Sequence, residues 1–260
     1  MFCMFRSGLV SITLRQEPFQ RVIDTVAEAG LQGIEWGGDV HVPHGDLDVA
    51  EAVGEATRVA GLEVAAYGSY YRCEAPRGKE APEPKAVLDS AEALGAPSIR
   101  IWAGHDTWEA MGKSDRMAVM RRMEAFVDQA AERGLLVGLE YHRNTLTQTE
   151  EGVRNVLEGI QHPQLKTLWQ PMPGADIAEN LRRLEAVLPR LLNLHVFQWG
   201  PGGFQDRKPL AEGESEWSQY FDSASKAGGQ RWALIEFVRE DRPACVVEDG
   251  QALNKWIETD

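Results

Sequence analysis

The chain has 260 residues, of which 43% are hydrophobic and 26% charged, values that fit one globular domain with a sizeable core and exclude a disordered chain. A formal net charge of −13, with no run of Lys or Arg, excludes a polyanion such as nucleic acid as the expected partner. Three scattered cysteines, Cys3, Cys73 and Cys245, form no Cys-x-x-Cys pair. That speaks against a disulfide framework and a thiolate zinc site, and for a reduced, cytoplasmic setting.

The opening stretch MFCMFRSGLVSITL has no basic start and is interrupted by Arg6, so it reads as a first strand rather than a signal peptide. No later run approaches the roughly 18 apolar residues of a membrane span. Eight short apolar runs follow one another: Leu9–Leu14, Gly33–Trp36, Glu63–Tyr67, Ser98–Trp102, Leu136–Tyr141, Leu165–Trp169, Leu191–Phe197 and Trp232–Val238. Each is followed by a segment of helical period. Phe19, Val22, Ile23 and Val26 stand at i, i+3, i+4 and i+7 behind Pro18, a residue suited to a first turn. Met123, Phe126, Val127 and Ala130 repeat the pattern, as do Ile177, Leu181, Leu184 and Leu188, and then Trp217, Tyr220, Phe221 and Ala224. Thr147-x-x-Glu150 reads as a capping box opening the fifth helix.

Strand–helix units repeated eight times predict an α/β fold, a (β/α)8 TIM barrel, with residues 1–260 as one domain. An open doubly wound sheet would carry a glycine-rich phosphate loop after its first strand, where this chain has Arg15-Gln16-Glu17-Pro18. The Pro/Gly-rich segment Cys73–Pro84 is the best linker candidate, but the same alternation continues on both sides. Helix-to-strand joins are tight and centred on Gly30, Gly61, Gly95 and Gly134, which predicts glycine C-caps. Strand-to-helix joins are longer: Gly37–Asp46, Gly68–Pro84, Ala103–Ser114 and Gln198–Ser215. The working face is therefore expected at the C-terminal ends of the strands.

Polar residues embedded in apolar sequence mark those ends. Strand two ends in Ile34-Glu35-Trp36 and is followed by Asp39, His41 and His44. Glu140, Gln170, His195 and Glu236 then come from four consecutive strands, five to eight. Consecutive strand ends converge in a closed barrel, and two carboxylates brought together without a cation are costly to bury. The set therefore reads as a site for one divalent ion. Two carboxylates, an amide and an imidazole, with no thiolate, favour Mn2+ or Mg2+ and admit Co2+ or Zn2+.

At this point the chain resembles the sugar phosphate isomerase/epimerase family, the xylose isomerase-like barrels. The resemblance runs along essentially the whole chain and rests on AGLQGIEW (29–36), IRIWAG (99–104), GLEYH (138–142), HVFQW (195–199), RKPLAEGE (207–214) and LIEF (234–237). It implies one divalent ion held by Glu, Asp, His and Glu from strands five to eight. Glu140, His195 and Glu236 match, while Gln170 stands where the family usually has Asp. The resemblance further implies proton transfer beside a carbonyl through a metal-stabilised enediolate, with Glu140 and Glu236 as the acid/base pair.

The expected outcome is an isomerase or epimerase of a small sugar or polyol. The same enediolate would also serve a lyase or dehydratase acting on a keto-sugar or inosose. A third reading is a degenerate barrel that binds sugar without turnover; Gln170 favours it, and two buried carboxylates oppose it. Arg207 resembles the family's substrate-binding arginine. Further substrate contacts are expected from His142 by strand parity, from the aromatic faces of Trp36 and Trp102, and from His41 in its loop. The partner is a small carbohydrate rather than a membrane or nucleic acid, and homo-oligomerisation is left open. A zinc-cluster nuclease on the same barrel would need more ligands and a basic surface than six His and a charge of −13 supply.

Overall fold

The computed structural model describes residues 4–74 and 82–258. Eight parallel strands close into a barrel in sequence order, and each is followed by a helix. The order is β1 (Phe5–Val10), α1 (Phe19–Glu28), β2 (Gly33–Gly37), α2 (Leu47–Val59), β3 (Glu63–Tyr71), α3 (Pro84–Leu94), β4 (Ser98–Ile101) and α4 (Lys113–Glu132). The second half runs β5 (Leu136–Glu140), α5 (Glu150–Gly159), β6 (Leu165–Trp169), α6 (Ile177–Val187), β7 (Leu191–Val196), α7 (Glu214–Ser225), β8 (Arg231–Ile235) and α8 (Pro243–Glu258). Part of the linker candidate, residues 75–81, lies outside the described residues.

The period of two along each strand sorts its side chains. Ile34, Ile99, Ile101, Leu139, Leu194 and Ile235 point outward into the large core between barrel and helices. A smaller cluster of Val10, Ile12, Ala65 and Leu234 fills the barrel itself. Gly138 shows how tight that interior is, because a Cβ there would lie 2.1 Å from Leu168 Cδ1. Glu140 follows Gly138 on the same face, so the parity that fills the barrel also carries the chemistry to its mouth.

The glycine caps are as expected: Gly30, Gly61, Gly95 and Gly134 all have positive φ, from 67° to 77°. Two local expectations are corrected. The first strand ends at Val10, and Ser11–Leu14 forms a buried 3-10 turn. Its polar groups bind neighbouring strand ends: Gly37 N donates to Ser11 Oγ at 2.8 Å and Phe237 N to Thr13 Oγ1 at 3.0 Å. An unbroken apolar run does not distinguish strand from buried turn. The N-cap of α5 is Thr149, which accepts from Gly152 N at 3.1 Å, so there is no Thr147–Glu150 capping box. Thr147 Oγ1 instead donates to the Glu140 carbonyl at 2.7 Å and ties down the end of β5.

On α8, Asp249 is buried and accepts from Leu210 N at 2.9 Å, which fastens the loop after β7 to the last helix. Burial raises the Asp249 carboxyl to about 6. A folded value above the unfolded one means that its stabilisation is complete below about pH 4 and is lost as pH rises through about 6. Asp249→Asn keeps an oxygen acceptor and never ionises. The variant is expected to be about 1–2 kcal/mol more stable than the parent at pH 7.5, with the difference vanishing near pH 4. Urea midpoints across that range check this; a pH-independent difference would contradict it.

Candidate metal and active site

Three of the four expected ligands converge at the mouth. Glu140 closes β5, His195 lies near the end of β7, and Glu236 stands one residue past β8. All three are buried, and one ligand atom from each lies within 4.8 Å of the others. His195 Nδ1 is 3.5 Å from Glu236 Oε2 and 3.9 Å from Glu140 Oε1. It makes no hydrogen bond although it is buried. A buried ring nitrogen without a partner, set between two carboxylates, is the condition a cation satisfies, so these residues fit a divalent ion.

Beneath them lies a network that the sequence reading left without a role. Arg100, on β4, donates through Nε to Glu35 Oε1 at 2.6 Å and through Nη1 to Glu140 Oε2 at 2.5 Å. Glu35, on β2, is fully buried and lies 3.2 Å from His195 Nε2 through its other oxygen. Burial alone would raise the Glu35 carboxyl, but Arg100 and then His195 hold it below the usual range. Glu140 is held at about 2 in the same way: burial pushes it up, and Arg100 and then the neighbouring imidazoles overrule that. Three carboxylates thus face one guanidinium, which leaves two uncompensated negative charges while His195 is neutral. Burial lowers His195, yet Glu236 and Glu35 outweigh it and raise the imidazole to about 10. The pocket is a strong cation trap.

The two catalytic candidates differ in freedom. Glu140 Oε2 accepts from Arg100 and from Trp102 Nε1, and its Oε1 accepts from Gln170 Nε2 at 3.1 Å. Among the described residues, the closest charged approach to the Glu236 carboxylate is His195 Nδ1 at 3.5 Å, and no guanidinium or amide is paired with it. Gln170 also donates from Nε2 to the Tyr141 carbonyl at 3.0 Å. A carbonyl only accepts, so the amide nitrogen is fixed there and Oε1 is the atom left for a ligand.

The expected substrate contacts divide. Trp36 is corrected: its neighbour Glu35 faces inward, so Trp36 faces α2, fully buried, with Nε1 3.1 Å from Thr57 Oγ1. His41 is corrected as well, because both ring nitrogens are engaged, with Ser11 Oγ and the Glu17 carbonyl, each at 3.0 Å. Arg207 braces two loops instead of standing open. It donates to the Phe204 and Val238 carbonyls at 3.2 and 3.0 Å, pairs with Asp241 and lies 4.2 Å over the Phe204 ring. Trp102 does reach the site, but as a donor to Glu140, with His142 stacked on its ring at 4.4 Å and Arg72 4.1 Å from its centroid. That stacking takes up aromatic surface expected for a sugar. His142 Nδ1 donates to the Arg143 carbonyl at 2.6 Å, which leaves Nε2 as an acceptor at the mouth. Tyr70, with φ of 55° at the end of β3, was not anticipated; its ring lies 4.7 Å from the Arg100 guanidinium.

Glu35 and Arg100 did carry a signal in the sequence. Each is a charged residue inside an apolar strand run, at inward parity, in GIEW and SIRIW. Buried charges are paired or bind ions, so such positions announce partners without naming them.

The model of the xylose isomerase-like TIM barrel matches residues 23–257. The chain belongs to that family. No curated protein matches it in sequence. Among solved structures, this xylose isomerase-like barrel is similar to a probable 3-DHS dehydratase, AsbF, involved in petrobactin synthesis in Bacillus anthracis. The TM-score is 0.80 at 19% identity, covering 96% of this chain and 99% of that one. It is also similar to a 3-keto-D-glucoside 4-epimerase, YcjR, from E. coli, with TM-score 0.71, 16% identity and coverage of 98% and 100%. A third is a xylose isomerase-like TIM barrel protein from Mycobacterium smegmatis in complex with magnesium, with TM-score 0.74, 14% identity and coverage of 100% and 99%. At these identities the likeness establishes the shared fold. Among the described residues, no helix is long and apolar enough to cross a membrane.

Proposed function

We propose that this barrel is a cytoplasmic, divalent-metal-dependent enzyme that moves a proton beside the carbonyl of a small sugar or polyol-derived ketone. The observation that carries the reading is the convergence of Glu140, Glu236 and the unpartnered Nδ1 of His195 in one buried cluster. A bound ion, Mn2+ or Mg2+ by the chemistry of the donors, would polarise the carbonyl oxygen and stabilise the negative charge of the enediolate.

The chain's own residues divide the remaining work. Glu140, pinned by Arg100, Trp102 and Gln170, serves as a ligand and not as a base. Glu236, with the freer carboxylate, takes the proton from the carbon next to the carbonyl and returns it. His142 Nε2 accepts a hydrogen bond from a substrate hydroxyl and orients it. This asymmetry favours reactions that one carboxylate can complete. Those are isomerisation across adjacent carbons on one face, or elimination of a β-hydroxyl. Epimerisation needs a second proton carrier on the opposite face, so it is the less favoured outcome. The likeness to a dehydratase accords with the elimination branch, while the likeness to an epimerase points to the less favoured outcome.

Metal analysis of the purified protein, followed by NMR of a ketose panel in D2O, tests the proposal. The expected result is one divalent ion per chain and deuterium entering carbon next to the carbonyl of at least one keto-sugar, lost on chelation. A protein that holds no divalent ion and exchanges no keto-sugar would overturn it. The product then separates the branches, an isomer in one case and an unsaturated ketone in the other.

We assign Gln170 to the ligand set through Oε1, where it coordinates without adding charge. Gln170→Asp is expected to tighten Mn2+ retention about tenfold, because a carboxylate adds charge opposite the ion. Equilibrium dialysis reads this directly. Unchanged affinity would remove Gln170 from the ligands and leave it as the amide that steadies Glu140.

A further inference from the structure

We propose that Glu35 is a positioning residue for the metal centre: it fixes the proton of His195 on Nε2 and thereby commits Nδ1 to the ion. The inference rests on reading Glu140, His195 and Glu236 as the ligands. Glu35 lies within β2, on the inward face, and among the described residues the expected ligand it contacts is His195.

The geometry leaves Glu35 one role toward that ring. Its Oε2 is 3.2 Å from His195 Nε2, and both groups are fully buried. A carboxylate only accepts, so Nε2 carries the hydrogen whenever this contact is made. In a neutral ring the lone pair then resides on Nδ1, the atom that stands between Glu140 and Glu236 without a hydrogen bond. A carboxylate behind a ligating histidine also raises the basicity of the ligating nitrogen and stops the ring from turning.

Glu35 is itself held from behind. Arg100 Nε donates to its Oε1 at 2.6 Å, and Arg100 Nη1 reaches Glu140 Oε2 at 2.5 Å. One guanidinium therefore sets the spacing between the carboxylate that orients His195 and the carboxylate that ligates. Arg100 and Trp102 both donate to Oε2 of Glu140, so Oε1, which accepts from Gln170 and lies 3.9 Å from His195 Nδ1, is the oxygen turned to where an ion would be held. Gly68 on β3 leaves the room this needs: a Cβ there would lie 2.8 Å from Glu35 Oε1 and 2.7 Å from Arg100 Nη2. The backbone is shaped around the pair.

The test uses Mn2+ as probe, with affinity read by electron paramagnetic resonance of the free ion. Wild type is expected to bind one Mn2+ per chain. Glu35→Gln keeps the shape but offers one oxygen to the two donors Arg100 and His195 and loses the charge, and is expected to weaken Mn2+ binding about 10- to 100-fold. A Glu35→Gln protein with an unchanged near-ultraviolet circular dichroism spectrum and an affinity within twofold of wild type would overturn the proposal. A wild-type protein that binds no Mn2+ would instead overturn the metal-centre reading beneath it. Histidine nitrogen NMR of the Mg2+-loaded wild type gives a measurement that requires no variant to fold. It is expected to show His195 protonated at Nε2 and ligating through Nδ1, and the reverse assignment would overturn the proposal.

Discussion

Glu236→Gln is expected to abolish proton exchange at the carbon next to the carbonyl, lowering turnover by about 10^2–10^4-fold at saturating metal. Glutamine preserves the shape and leaves an amide oxygen for the ion, but it cannot take up a proton. The same change at Glu140 is expected to act differently. Glu140 is held at about 2, with both oxygens accepting hydrogen bonds, so its loss falls on metal retention and on the pairing of Arg100. Glu140→Gln should therefore lose Mn2+ affinity and recover a large share of its turnover when the ion is supplied in excess. Glu236→Gln should not recover. Deuterium exchange into a responsive ketose, followed against Mn2+ concentration for both variants, separates the two roles. Equal recovery of both would show that neither carboxylate is the proton carrier, and recovery of Glu236→Gln alone would exchange their assignments.

Arg100→Leu is expected to destabilise the fold by about 3–5 kcal/mol, the usual effect of removing one partner from a buried ionic cluster. Arg100 is 1% exposed and is the guanidinium between Glu35 and Glu140, which are 0% and 2% exposed. Leucine would leave two dry carboxylates without the guanidinium that joins them. Those carboxylates would protonate, so the loss should grow as pH rises above the ordinary carboxylate range. The triple variant Glu35→Gln, Arg100→Leu and Glu140→Gln removes all three charges together, and it is expected to recover most of the lost stability. Denaturant midpoints for wild type, the single variant and the triple variant measure this. A single variant within about 1 kcal/mol of wild type would show that the cluster is solvated in solution and does not hold the ligands in place.

The two results bear on each other. The guanidinium that stabilises Glu140 also removes it from proton transfer, so stability and reaction class depend on the same contact. In a symmetric site, two carboxylates could serve the two faces of a planar intermediate. Here Arg100 makes them unequal, with one held as a ligand and one left to carry the proton.

Much of this was legible in the residues themselves. The alternation of eight apolar runs with helical segments predicts the barrel because both periods are local properties of the chain. The positive φ of Gly30, Gly61, Gly95 and Gly134 was equally readable, since a helix that gives way to a strand within three or four residues commonly ends on a left-handed residue. The strand-tip positions of Glu140, Gln170, His195 and Glu236 follow from parity and from the rule that barrels work at the C-terminal ends of their strands.

What only the tertiary structure decided is which charge meets which. Glu35 and Arg100 are 65 residues apart, Arg100 and Glu140 are 40 apart, and Glu35 and His195 are 160 apart. Those contacts exist because the barrel closes and brings β2, β4, β5 and β7 around one axis. The same closure turned Trp36 toward α2, gave His41 a side-chain partner in Ser11 and a backbone partner in Glu17, and tied Arg207 between two loops, roles that side-chain type alone does not distinguish. Local pattern determines which face a residue occupies; the distance between two faces is a property of the closed sheet.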